Sequence, residues 1–491
     1  MTLRPLPFAF GLVLALGGCW GGGPAQDAPA AVSVIGEGLK AADPSAGPLD
    51  AAERTLIGAT AQGLVRFDGG GQIEPGLAES WAVAPDGTSY VFRLREAQWP
   101  DGQPVTAEQV VRVLRRAAAP GSRNPLMPFL RVIDEIVEMT PQVIEVRLKR
   151  PRPDLLKLFA QPELAIFRPG GGGGGGSGPL VAAPAGKGGL LLRPAVDPAS
   201  VADADAAQPD PRRQVLLRGE RAALAVARYQ AGRTELVLGG SVADWPIVGV
   251  AGVAQEAVRI DPALGMFGLA VASRDGFLSD AANRAAVAMA IDRVALTQAI
   301  RPDWQPLETL LPLQLDSSAA PALPGWGPLP LDARRENART RVRDWQRGHP
   351  GPVTLRIALP AGPGANLVWA QLIASLRSVG IAVQRVGMRD AADLRLVDMV
   401  APYDSGRWFL VSACRPCSGQ AVAAIAAARD APTLGERAQR IAEADTVLTA
   451  DSAYIPIAQP FRWSIVSARL TGWQGNTRAW HPLNHLRNES E

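Results

Sequence analysis

Residues 353–386 read as strand, helix, strand: an apolar run at 353–359, helically spaced apolar positions at 365–379, and a second alternating run at 381–386. A helix between two strands makes a crossover, which leaves those strands parallel in one sheet, so this segment commits the chain to an α/β architecture. Other segments extend the pattern. Tyr90 to Leu94 alternates behind an Asp86-Gly87 turn signal, and Thr106 stands as an N-cap with Gln109 three residues on, before Val110, Val111 and Leu114. The spacing further predicts strands at 32–35, 64–68, 144–148, 234–238 and 408–412. Helices are expected at 51–63, 222–231, 422–428 and 433–450, with one long helix at 280–300. Two lobes with mixed sheets are the natural outcome.

The 491 residues suffice for two to four compact units, and 47% hydrophobic with 20% charged content is the balance of a globular chain. Lys plus Arg number 50 against 47 Asp plus Glu, with no dense basic block, so no nucleic-acid footprint is indicated. At the start, Arg4, an apolar stretch at 6–16 and Gly17-Gly18 before Cys19 read as a cleaved signal, too short to span a bilayer. Residues 1–18 are therefore expected to be a signal peptide and 19–30 a flexible tether. Leu16-Gly17-Gly18-Cys19 resembles a bacterial lipobox, which implies a lipidated Cys19 and a membrane-anchored chain on the periplasmic or extracytoplasmic face.

Seven glycines at 170–176 would cradle a phosphate only if a Gly-Lys-Ser/Thr sequence followed; Lys187 is succeeded by Gly188, so a surface loop is expected instead. Cys414 and Cys417 are spaced for a short disulfide in an oxidising compartment, and a zinc site would need further ligands that are not nearby. His481 and His485 stand four apart, but Pro482 disfavours a shared helix face, and no metal or other cofactor is expected. Three scattered His provide no nucleophile, base and orienting acid, so the chain is not read as an enzyme.

Three stretches carry a resemblance. Pro75-Gly76-Leu77-Ala78-Glu79-Ser80-Trp81, then the run from Pro85-Asp86-Gly87-Thr88 to Arg95, then Trp99-Pro100-Asp101-Gly102 through Thr106-Ala107-Glu108-Gln109-Val110 resemble the peptide, dipeptide and nickel class of bacterial solute-binding proteins, family 5. Ser177-Gly178-Pro179, the helix ending Ala-Met-Ala-Ile-Asp-Arg at 293, residues 379–383 and 453–457 add agreement. The resemblance implies a two-lobed periplasmic-binding-protein fold of type II, in its three-subdomain form, with mixed sheets and hinge strands. It places lobe I at 31–52, 165–250 and 455–491, an inserted subdomain at 53–164, and lobe II at 251–454. It also implies a monomeric receptor that closes on a peptide or small anionic solute and delivers it to the permease subunits of an ABC importer.

Cargo is less well marked. Peptide-binding members carry an Asp-rich loop for the ligand's ammonium, and the sequence-based alignment puts Cys414-Arg415-Pro416-Cys417 in that place, which would reverse the preferred ligand charge. Arg415, Tyr403, Asp404, Trp408, Trp245 and Glu37 are the expected cleft residues. Alternatives stay open: Arg415 in solvent beside a stapled loop, a thiol redox pair at Cys414 and Cys417, or a solute-binding-like envelope protein without a transport role.

Overall fold

The computed structural model describes residues 28–40, 42–168, 175–186, 188–195, 210–313 and 315–487. The signal peptide, Cys19, most of the tether and Gly170 to Gly174 lie outside the described residues.

A seven-stranded sheet forms around strand Ala30–Ile35, which pairs in parallel with both Val215–Glu220 and Leu236–Gly240. Its nearly continuous burial is typical of a parallel strand covered on both faces. The one polar residue inside it, Ser33, is satisfied by Glu220 at 2.5 Å and Thr234 at 2.9 Å. Antiparallel strands complete the sheet: Arg462–Val466 and Val258–Asp261 on one side, Gly189–Pro194 and Leu180–Pro184 on the other.

The crossover read from sequence is present. Val353–Ala358 and Ile381–Val386 are parallel and joined by helix Pro363–Arg377, inside a five-stranded sheet with Leu394–Val400, Gly265–Val271 and Tyr454–Ala458. The chain passes from the seven-stranded to the five-stranded sheet between Asp261 and Gly265, and returns between Ala458 and Arg462.

A third unit is an antiparallel sheet ordered Ala78–Val83, Ser89–Leu94, Val143–Leu148, Ile133–Thr140. Strand Ser89–Leu94 buries alternate residues Tyr90, Phe92 and Leu94. Helix Ala107–Ala118 lays Val110, Val111 and Leu114 on the same core. Both halves of the expected capping box are made: Thr106 accepts from Gln109 N and Gln109 accepts from Thr106 N. Gly87 takes φ +69° in the hairpin, a conformation that costs a side chain but not glycine. Gly178 has another reason for lacking a side chain: its Cβ would lie 2.3 Å from the Thr60 carbonyl carbon.

Several elements differ from expectation. Residues 408–412 are not a strand but part of helix Gly406–Ala413, almost wholly buried; a short run apolar on every side has no period to separate the two forms. The expected helix at 280–300 is two helices, Ala281–Ala290 and Arg293–Ile300, because Asp292 turns its carboxylate onto Ala295 N at 2.9 Å and starts a new helix. The first helix ends at Thr60 rather than Gly63. Helix Leu331–Gly348 went unread, since it buries only Ala338 and Val342 and its apolar stripe is too thin to register.

Candidate functional site

Where the two sheets, the 125–129 segment and the 478–481 segment converge, they leave a cleft of about 500 Å³. One wall is made by two inner strands of the seven-stranded sheet, at Leu238, Gly239, Trp463 and Ser464; the facing wall is the end of strand Leu394–Val400 with Trp408, Val411 and Ser412 of the following helix. Phe129, Gln161 and Glu163 close a third side. That volume lies within the range of pockets that enclose small organic ligands, roughly 300–1,000 Å³.

Ion pairs span the cleft. Arg462, from the seven-stranded sheet, donates to Asp398 Oδ1 of the five-stranded sheet at 2.7 Å. Arg478 donates to Asp404 and, at 3.1 Å, to the Ala401 carbonyl, while Lys157 reaches the other Asp404 oxygen at 2.5 Å. Burial pushes the Asp404 carboxyl up, but Lys157 and Arg478 outweigh it and hold it below its ordinary value. Arg54 pairs with Glu163, and Gln161 Nε2 donates to the Pro402 carbonyl at 2.5 Å. Asp261, 1% exposed, accepts from Asn476 N at 3.0 Å and meets His481 Nε2 at 3.0 Å. Next to these pairs, Asp154 has its carboxyl pushed up to about 6 by burial, with Asp316 adding repulsion.

The expected site residues separate into three groups. Trp408 and Arg415 line the cleft. Tyr403 and Asp404 stand behind its wall: Tyr403 is buried edge-on to Phe129, with ring centres 5.5 Å apart, and burial raises its phenol pKa. Trp245 and Glu37 line no part of the cleft; Trp245 packs against Phe461 at 5.5 Å and Trp463 at 6.4 Å, and Glu37 is exposed beyond the end of strand Ala30–Ile35.

The loop that follows the strand is also not the one expected. Since 408–412 is helical, the loop leaving strand Leu394–Val400 is Ala401 to Ser405, and Cys414 to Cys417 follow the helix instead. The Cys414 and Cys417 Cα atoms are 5.0 Å apart, a span that a disulfide bridges. Arg415 is exposed and, alone among the four lining arginines, has no carboxylate partner among the described residues.

Asp398, Arg462, Arg478, Glu163 and Asp261 were not singled out from sequence. Isolated charged residues far apart in the chain carry no local pattern; of the residues beside them, His481 stands out in sequence, for its spacing to His485. It meets Asp261, whereas His485 meets Glu74 at 3.2 Å.

Residues 72–189 match the profile of bacterial extracellular solute-binding proteins, family 5 Middle. The chain is 44% identical over 70 residues to the probable deoxycholate-binding periplasmic protein YgiS of Escherichia coli, covering 14% of this chain and 13% of that protein. It is 37% identical over 89 residues to the periplasmic oligopeptide-binding protein OppA of Haemophilus influenzae, covering 18% and 16%. The aligned segments thus span less than a fifth of either relative.

Structural likeness extends much further. The crystal structure of Haemophilus influenzae OppA complexed with RPPGFSPFR matches with a TM-score of 0.77 at 18% identity, over 94% of this chain and 99% of that one. The Escherichia coli murein tripeptide-binding protein MppA gives 0.78 at 18% identity, over 93% and 98%. MppA in its unliganded open form gives 0.63 at 18% identity, over 94% and 96%. Residues 72–189 thus carry the family 5 profile, and the whole described chain has the two-lobed mixed α/β fold of these solved structures.

Proposed function

We propose that the chain is an extracytoplasmic receptor that encloses a peptide or peptide-like solute between its lobes and delivers it to the permease of an ABC importer. The observation that carries this reading is the cleft of about 500 Å³ with walls contributed by both sheets and bridged by Arg462 and Asp398. Such a site makes closure and ligand enclosure one event: a ligand that contacts both walls favours the closed arrangement by its differential affinity, and a permease can read that arrangement. The names of the relatives, covering oligopeptides, a murein tripeptide and deoxycholate, support a small organic cargo.

The lobes divide at the two crossings, 261–265 and 458–462, with the 78–148 sheet as a subdomain of the first lobe. A lipidated Cys19 would tether this monomer to the membrane, and no helix among the described residues is long and apolar enough to cross one. Cys414 and Cys417 form a disulfide that steadies the Arg415 loop. Catalysis has no part in this reading.

The test is mass spectrometry of whatever co-purifies with the full chain from an oxidising compartment, combined with small-angle scattering before and after the cleft is emptied by unfolding and refolding. A bound organic solute and a larger radius once it is removed are expected. A cleft that carries nothing, and a radius unchanged by any solute, would leave a receptor-like protein without a transport role.

A further inference from the structure

Every carboxylate that lines the cleft is already held. Glu163 is held by Arg54, Asp398 by Arg462, and Asp261 by His481 and the Asn476 amide. Asp404, directly behind the wall, is held by both Lys157 and Arg478. Arg415 is the cation left over: it lines the cleft, is exposed, and has no ion pair among the described residues. The same cleft has a large aromatic and apolar share in its walls, with Phe67, Phe129, Trp408, Val411 and Trp480 contributing.

These charges have unequal consequences for a ligand. To meet a carboxylate here, a ligand ammonium would have to loosen an existing ion pair and compete with its arginine. A ligand anion meets Arg415 at the cost of displacing water only, and a guanidinium offers a carboxylate two parallel N–H donors. The aromatic walls then cover an apolar body without asking for a second charge.

Resting on the receptor reading above, we infer that the cleft selects an amphipathic organic anion, with a carboxylate on Arg415 and no free ammonium group. Peptides fit this class when the amino end is blocked or neutral.

Four forms of one tripeptide test it: Ala-Phe-Ala with the amino end free or acetylated, and the carboxyl end free or amidated. Titration calorimetry gives the affinities for the full chain, and small-angle scattering reports closure. N-acetyl-Ala-Phe-Ala with a free carboxylate is expected to bind about ten-fold or more tighter than Ala-Phe-Ala amide with a free ammonium, as befits one charge-assisted pair. Arg415→Gln should erase that preference while leaving the melting temperature in place, and Arg415→Lys should retain part of it. Tighter binding of the ammonium form, or an acetylated carboxylate indifferent to Arg415→Gln, overturns the inference; closure on any of the four would still sustain the receptor reading. Failure of all four to bind or to close the lobes overturns both.

Discussion

In the sheet of residues 78–148, every strand pairs with others from the same stretch, and the helix that covers it belongs to that stretch too. The cleft walls are assembled in the opposite way. Arg462 meets Asp398 across 64 residues, Arg478 meets Asp404 across 74, and Lys157 meets Asp404 across 247. The first region coheres through apolar burial, with Phe92 wholly buried at its centre; the second adds to the Phe129–Tyr403 ring contact a set of charges that come together only once the lobes do. It follows that the two should fail under different insults, the sheet to a cavity and the walls to a change of charge, pH or salt.

The largest effect is expected in the sheet. Phe92 packs edge-on against Phe159 with ring centres 5.7 Å apart, and Phe92→Ala should destabilise the protein by about 3–5 kcal/mol in urea unfolding. The loss should be the same at low and high salt, since no charge is involved. A cost below about 1 kcal/mol would mean that the site collapses freely, and the contrast between the regions would weaken.

Next comes the charge packed beside the walls. Burial, then Asp316, raises Asp154 to about 6, above the roughly 3.9 of an unfolded chain, so the native state takes up its proton more readily. The ionised form is therefore a penalty above pH 6, relieved as the pH falls. Asp154→Asn should stabilise the protein by about 1–3 kcal/mol at pH 7, and its advantage should fade between pH 6 and about 4. Denaturation curves at pH 7 and pH 4 check this; a variant less stable at pH 7 would show that Asp154 serves a partner in its charged form.

The same contrast explains what the sequence disclosed. Asp86-Gly87, the alternation at 90–94 and the Thr106–Gln109 capping box are short-range signals, and the structure realises each of them. The parallel crossover at 353–386 was legible for the same reason. Helix Gly406–Ala413 was misread because complete burial erases the polar face that reveals a period, and the error displaced the expected cleft loop from 401–405 to 414–417. The paired charges could not be read, because the partner of Arg462 is fixed by tertiary structure and leaves no trace in its neighbours. Trp245, expected in the cleft, packs into the aromatic group around Phe461 and is not part of the cleft lining.

The 414–417 loop offers a smaller test. Protein from an oxidising compartment should show no thiol reactive at Cys414 or Cys417, and replacing both by Ser should lower stability by at most about 2 kcal/mol, because the loop closed is so short. Free thiols in the native protein would remove the disulfide and leave the Arg415 loop held by its packing alone.

The smallest expected effect sharpens the comparison most, because it separates closure from stability. Asp404→Asn keeps the shape of the side chain but leaves Lys157 and Arg478 facing each other without the charge between them. Asp404 is partly exposed, at 36% of its side chain, so solvent screening limits the loss to about 1 kcal/mol or less at low salt, shrinking further at high salt. The sign with pH is opposite to that of Asp154: a carboxyl held below its unfolded value contributes fully above about pH 4, and the contribution disappears as the pH falls through the lower native value. Since Lys157 and Asp404 come from opposite sides of the cleft, the loss should appear mainly as a shift toward the open form. Small-angle scattering at pH 7 and low salt should then give a larger radius for Asp404→Asn than for the parent, with the two converging in high salt. An unchanged radius with a lowered melting temperature would instead place this ion pair among the bonds that hold a lobe together, and the line between apolar sheet and charged walls would have to be redrawn.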